Sequence, residues 1–244
     1  MKHNSVVPDA SSKLSKKEQV ADMFNNIAGK YDFLNHFLSL GIDKGWRTKA
    51  IKSIESIAPQ QILDVATGTG DLAIAAAQRF QNCQVVGVDI AAQMLEVGKV
   101  KIADKILSER IIMQVGDSEA LQFAEGHFDA VLCAYGTRNF QDLHKGLAEM
   151  YRVTREGGKV AILEFSQPKA FPIKQLFAFY FKYMLPLFGK LVSKHSSAYT
   201  YLPESVMAFP EGADFCAILS SCGFKNAQAR PLTFGITSLY TAEK

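Results

Sequence analysis

Strands that each end in an acidic residue, the first of them opening into a glycine loop, constrain this chain more than any other feature. Residues 61–71 read Gln-Ile-Leu-Asp64-Val-Ala66-Thr67-Gly68-Thr69-Gly70-Asp71. Val85-Val86-Gly87-Val88-Asp89 and Ile111-Ile112-Met113-Gln114-Val115-Gly116-Asp117 follow, and Val160-Ala161-Ile162-Leu163 ends in Glu164. Short apolar runs between turn residues read as buried strands. The pattern predicts strands at 61–66, 84–89, 110–116, 128–134 and 158–165, and helices at 71–80, 91–107 and 142–154. Such alternation builds βαβ units on a parallel sheet, and right-handed crossovers put helices on both faces. Ligands of such sheets bind outside the carboxyl ends of the strands, where these acids fall.

The remainder of the 244 residues fits around one large α/β domain. Residues 16–57 read as helical: Val20, Met23, Phe24 and Ile27 recur at helical spacing, as do Trp46, Ala50, Ile54 and Ile57. An aromatic stretch, 31–39, lies between them. Residues 171–192 break the rhythm with an aromatic, aliphatic segment that carries Lys174, Lys182 and Lys190, and Pro186 should kink or end its helix. A helix over 210–222 ends at Gly223, and strands over 225–231 and 235–242 close the chain as an antiparallel hairpin. Residues 1–17 are polar, rich in Ser and Lys, and lack the apolar core of a secretion signal. They are expected to form a disordered tail.

Bulk properties exclude several classes. A net charge of +3 gives no broad nucleic-acid footprint. Cys83, Cys133, Cys216 and Cys222 form no CxxC pair and read as reduced thiols of a cytoplasmic protein. The five histidines fall at no ligand spacing, so no metal is expected. No uncharged apolar run reaches spanning length.

The glycine loop admits two ligands. Gly68-x-Gly70-x-x-Ala73 satisfies the dinucleotide fingerprint, which alone is a weak signal. A pyrophosphate there would meet Asp64 and Asp71 as like charges. S-adenosyl-L-methionine, with an ammonium, a sulfonium and no phosphate, suits the acids better. Asp64 can attract its methionine end, and Thr67 offers a hydroxyl. Gly68 and Gly70 let the backbone approach closely. Asp89 can accept from both ribose hydroxyls, Asp117 and Ser118 can meet the adenine amino edge, and Met94 can pack on the adenine face. Each residue also has an ordinary structural explanation. Asp71 suits a helix N-terminus, Asp89 a cap and Met94 the core. Jointly they favour the sulfonium donor over a nicotinamide cofactor.

Two further motifs carry a family resemblance. One is Tyr31-Asp32-x-x-Asn35-x-x-x-Ser39 with Trp46 seven residues on. The other is Arg152-Val153-x-x-x-Gly157-Gly158-x-Val160-x-x-Leu163-Glu164-x-Ser166, preceded by Tyr135-Gly136-Thr137-Arg138-Asn139. After about residue 18 the chain resembles the C-methyltransferases of ubiquinone and menaquinone biosynthesis. It departs from them at Asp43, where a His is usual, at Thr154-Arg155-Glu156, and at Ala134, where some members carry Ser.

The resemblance implies a class I S-adenosylmethionine-dependent methyltransferase (Rossmann-like) fold: a mostly parallel seven-stranded sheet with a terminal antiparallel hairpin. It further implies a single domain over 18–244, with a helical lid at 18–57 and a helical insertion at 171–203 over the acceptor pocket. The implied donor residues are Thr67, Asp89, Asp117 and Ser118. The implied reaction methylates a ring carbon of a polyprenylated naphthoquinol, demethylmenaquinol becoming menaquinol. Alternatives are a ubiquinone precursor, another small-molecule methyltransferase, or a binding module without chemistry. Arg138 is expected to stabilise the ring oxyanion and Asn139 to orient it. Glu164 and Tyr31 are candidate bases, while Asp142 and His36 suit a helix cap and a packed helix position. A long apolar tail calls for reversible membrane contact at the inner face, through Phe177, Phe179, Tyr180, Phe181 and Tyr183 with the three lysines.

Overall fold

The computed structural model describes residues 2–39, 41–180, 183 and 197–244, without the side chains of 2, 34–38 and 197–200. Pro186, Phe181, Lys182 and Lys190 lie outside the described residues, and so does the His36 side chain. Five strands arise where expected: β1 (Gln61–Val65), β2 (Gln84–Asp89), β3 (Ile111–Val115), β4 (Phe128–Ala134) and β5 (Thr154–Phe165). Strands β6 (Lys225–Leu232) and β7 (Thr237–Glu243) complete the sheet in the order β3-β2-β1-β4-β5-β7-β6. The first five pair in parallel, and β7 runs antiparallel to both β5 and β6. β5 begins four residues earlier than expected, because Thr154 already pairs with Phe128 before the register shifts.

Helices α1 (Lys16–Leu38) and α2 (Asp43–Ser53) precede the sheet. Helices α3 (Asp71–Arg79), α4 (Ala92–Asp104) and α5 (Leu143–Val153) are crossovers. Helices α6 (Ile173–Phe179), α7 (Ser197–Ala208) and α8 (Ala213–Ser221) follow. Alternate strand residues serve opposite faces. Ile62, Val85, Ala130, Leu132 and Leu163 pack with α2, α3 and α4. Leu63, Val65, Val131, Cys133 and Ile162 pack with α5 and α8. Asp142 caps α5 by accepting from Lys145 N at 3.1 Å.

The strand order reverses between β1 and β4, and the crevice at such a switch is where α/β sheets bind ligands. Here the backbone is forced. Ala66 and Tyr135, the residues that leave the two strands, adopt φ of 54° and 60°. Left-handed geometry costs a non-glycine residue about 1–3 kcal/mol, and such strain gathers at functional sites. Gly136 completes the crevice, since a Cβ there would lie 2.5 Å from the Ala66 Cβ and 2.8 Å from Cys133 Sγ.

The N-terminal segment departs from the disordered tail expected of it. Residues 2–5 form a 3-10 turn, and His3 is 1% exposed. Its Nε2 lies 2.6 Å from the Arg138 carbonyl, and its ring meets Phe209 edge-on. Lys16 Nζ donates to the carbonyls of both His3 and Arg138. Composition marked the segment as polar, but two of those polar groups serve orphan carbonyls in the fold. His3→Ala should therefore lower stability by about 1–3 kcal/mol and speed amide exchange at Asn139 and Phe140. Denaturant melts with hydrogen exchange check this, and wild-type values for both would show that the segment is not anchored.

Candidate active site

A cleft opens at the carboxyl ends of β1, β2 and β4 and is covered by Lys17, Val20, Phe24 and Tyr31 of α1. It encloses about 630 Å³ of empty space, part of it open to solvent. Gly68, Asp89, Met94, Asp117 and Ser118 line it, as do Tyr135, Asn139 and Gln141.

The acids divide into two roles. Asp89 Oδ2 accepts from Gly68 N and Oδ1 from Ala91 N, each at 2.8 Å. Burial pushes its carboxyl up, against the pull of backbone N–H groups from Ala91, Gly68 and Ile90. A carboxylate has about four lone-pair sites, so it retains acceptors toward the cleft. Asp117 Oδ1 accepts from Glu119 N at 2.9 Å, while Oδ2 takes Lys17 Nζ at 2.5 Å.

Asp64, expected at the methionine end, instead lies beneath the loop. It is 1% exposed, and its Oδ2 accepts from Thr67 Oγ1 at 2.6 Å and Ala73 N at 3.1 Å. Thr67 thus turns its hydroxyl away from the cleft, and its N–H donates to Val88 O. Gly70, at φ 78°, starts α3. These three residues shape the loop from behind. Gly68, at φ 58°, forms the cleft floor, and a Cβ on it would lie 3.3 Å from Met94 Cε.

On the acceptor side, Glu164 is fully buried. Its Oε1 accepts from Arg138 Nη1 at 2.8 Å and Phe165 N at 2.9 Å. Its Oε2 accepts from Thr137 Oγ1 at 3.1 Å and Arg138 N at 3.2 Å. Glu164, expected as a candidate base, does not line the cleft, and four donors hold its carboxylate. Arg138 is 6% exposed, stands over the Phe165 ring and also donates to the Tyr135 carbonyl. It does not line the cleft either, although its Nε remains without a partner among the described residues. Asn139 and Tyr31 do line it. Asn139 Nδ2 donates to Tyr135 O at 3.3 Å.

Asp43, where the family resemblance led one to expect His, accepts from Ser39 Oγ and Arg47 Nη2. A second polar cluster ties α1 to the loop, with Lys101 Nζ reaching Asp32 and Asp71 at 2.6 Å each and Thr69 at 3.0 Å. Among the described residues no cluster of His, Cys, Asp or Glu could hold a metal ion.

Comparison with known proteins agrees with this arrangement. The ubiE/COQ5 methyltransferase family model matches residues 12–244. The chain belongs to that family. It is 52% identical to the demethylmenaquinone methyltransferase of Bacteroides fragilis over 94% of each chain. It is 47% identical to the ubiquinone/menaquinone biosynthesis C-methyltransferase UbiE of Geotalea daltonii, over 95% of this chain and 99% of that one. Solved structures share the fold. A putative S-adenosyl-L-methionine-dependent methyltransferase of Methanococcus maripaludis matches with a TM-score of 0.60 at 17% identity, over 97% of each chain. Phosphoethanolamine N-methyltransferase 2 of Haemonchus contortus, in complex with S-adenosyl-L-methionine, matches with a TM-score of 0.57 at 18% identity, over 76% of this chain and 48% of that one.

The cleft of this family member fits S-adenosyl-L-methionine. The carboxylates of Asp89 and Asp117 reach its wall, and among the described residues Lys17, paired with Asp117, is its one cationic lining residue. Lys17, Phe24, Tyr135 and Gln141 were not expected in the cleft from the sequence. The helical period of α1 shows that Val20 and Phe24 share a face, but not that the face covers the sheet edge.

Asp64 supplies a pH test. Burial raises its carboxyl to about 7, against the pull of Thr67 and Ala73. Between its ordinary value, near 4, and about 7, the folded state binds more protons than the unfolded one. Stability therefore falls as pH rises through that window and levels off above it. Asp64→Asn should flatten this slope, worth up to about 1.4 kcal/mol per pH unit, and raise the ligand-free melting temperature at pH 8 relative to pH 5. A variant whose pH profile matches the wild type would contradict the assignment.

Proposed function

We propose that the protein transfers the methyl group of S-adenosyl-L-methionine to a ring carbon of demethylmenaquinol, giving menaquinol. The observation that carries this reading is 52% identity to a demethylmenaquinone methyltransferase over nearly the full length of both chains. The acid-ended cleft supports it.

When bound, S-adenosyl-L-methionine supplies a methyl group already activated by the sulfonium charge. The protein's task is position and charge management. Asp89 holds the ribose hydroxyls, and Met94 packs on the adenine. Asp117 and Ser118 receive the adenine edge, with Lys17 yielding or sharing the Asp117 carboxylate. The loop shaped by Asp64, Thr67 and Gly70 brings Gly68 against the ligand.

The acceptor carbon becomes nucleophilic when the neighbouring ring hydroxyl gives up its proton, so the reduced quinol is the substrate. That carbon forms the new bond as the methyl–sulfur bond breaks, the bonding pair stays on sulfur to leave the neutral thioether S-adenosylhomocysteine, and the ring hydrogen leaves as a proton to solvent, which restores the aromatic ring. Asn139 meets the ring oxygen from the cleft wall, and Arg138, fixed by the Glu164 carboxylate behind that wall, reaches it through Nε once the ring is seated. Tyr31 is the remaining titratable candidate on the cleft wall. A ubiquinone precursor is the second reading, favoured by the relatives named for both pathways. Anaerobic incubation with reduced demethylmenaquinol should yield a product one methyl heavier by mass spectrometry. An unmodified quinol beside active donor binding would refute the acceptor.

The polyprenyl tail implies contact with a lipid surface. Phe171, Leu176 and Phe179 are exposed beside Lys174 on and around α6, a pattern suited to an anionic interface. Among the described residues no helix is long and apolar enough to cross a membrane. Leu176→Asp with Phe179→Asp should weaken binding to anionic phospholipid vesicles and slow turnover of long-tailed quinol, sparing a short-tailed one. Unchanged sedimentation with vesicles would contradict this contact.

A further inference from the structure

Four buried side-chain polar atoms lack a partner among the described residues, and three of them share one neighbourhood: Arg138 Nε, Asn139 Oδ1 and the Tyr201 hydroxyl. Arg138 and Asn139 are consecutive, and both side chains reach the Tyr135 carbonyl. Tyr201 projects from α7, which packs against the 137–139 turn. The charges of Arg138 and Glu164 act on its phenol. Its ring belongs to the cluster of Val20 and Met23 with Phe24 against it. Val20, Phe24 and Asn139 all line the cleft, and Arg138 and Tyr201 stand directly behind them.

The packing does not call for the Tyr201 oxygen. The residue is 3% exposed, and a buried hydroxyl left unpaired costs about 1–3 kcal/mol that a phenylalanine of the same shape would avoid. An aryl hydroxyl calls for all three groups. It has two lone pairs to accept from Arg138 Nε–H and Tyr201 O–H, and one hydrogen to donate to Asn139 Oδ1. Two donors and one acceptor are the complement of a single phenolic oxygen.

We propose that Tyr201 is a further substrate-contacting residue, whose hydroxyl donates to the acceptor-ring oxygen shared with Arg138 and Asn139. This rests on the quinol reading above and deepens it. As the ring oxygen gains negative charge, the donated bond strengthens, which lowers the barrier rather than only tightening binding.

Tyr201→Phe removes one oxygen and tests the assignment. The melting temperature should hold or rise, and the calorimetric Kd for S-adenosyl-L-methionine should stay at its wild-type value. Turnover of reduced demethylnaphthoquinol should fall on the order of 100-fold, with most of the loss in kcat. Wild-type turnover overturns the proposal. So does a joint fall of melting temperature and donor affinity, which would mark the hydroxyl as the anchor of a structural water. Should the wild-type enzyme itself fail to methylate the naphthoquinol, the readout becomes anaerobic binding of menadiol, a phenolic ring tested without turnover. Binding several-fold weaker in Tyr201→Phe supports the subsite, and equal binding overturns it.

Discussion

A buried carboxylate and a half-buried one at the ends of adjacent strands hold the glycine loop, and the cleft takes its form from them. Asp64 binds the Thr67 hydroxyl and the Ala73 N–H, while Asp89 binds the Gly68 N–H. The loop is thus held between two acids on neighbouring strands of a parallel sheet. Backbone N–H groups that would cradle a phosphate in a dinucleotide site are here partly taken up by the protein's own carboxylates. Negative charge in so enclosed a place favours a cationic ligand and opposes a diphosphate. The chemistry of the donor follows from the way the loop is tied down.

The acceptor side depends on a second buried arrangement. Glu164 ends β5 and gathers the Arg138 guanidinium, the Arg138 N–H and the Thr137 hydroxyl. From the other side, His3 and Lys16 hold the Arg138 carbonyl. The 137–139 turn is therefore gripped by β5 and by the N-terminal segment. Breaking a buried pair by removing one partner costs about 3–5 kcal/mol. Glu164 is thereby committed to the 137–139 turn, with four donors on its carboxylate. Preorganisation of this kind leaves Asn139 on the wall and keeps the Arg138 Nε unspent.

Much of the architecture was legible because strand and crossover signals are local. The acids that close β1, β2, β3 and β5 fall at strand ends as their spacing implies, and the terminal hairpin pairs as read. Residues whose role depends on tertiary burial were not legible. Asp64 and Asp89 look alike in sequence, each ending an apolar run, yet one lies beneath the loop and the other lines the cleft. Glu164 reads as a free acid until the register brings Arg138 to it. The polar composition of residues 2–17 hides the burial of His3 and Lys16, which only the 137–139 turn explains. Lys17 on Asp117 is likewise a contact between residues 100 positions apart in sequence, and no periodicity encodes it.

The central claim is that the acid-held cleft accepts an adenosyl cation and rejects a pyrophosphate. Isothermal titration of the purified protein with S-adenosyl-L-methionine and, separately, with NADH tests it most directly. Saturable binding of the sulfonium compound, greatly weakened by Asp89→Ala, together with no heat from NADH, is the predicted result. Binding of NADH with indifference to S-adenosyl-L-methionine would contradict the account.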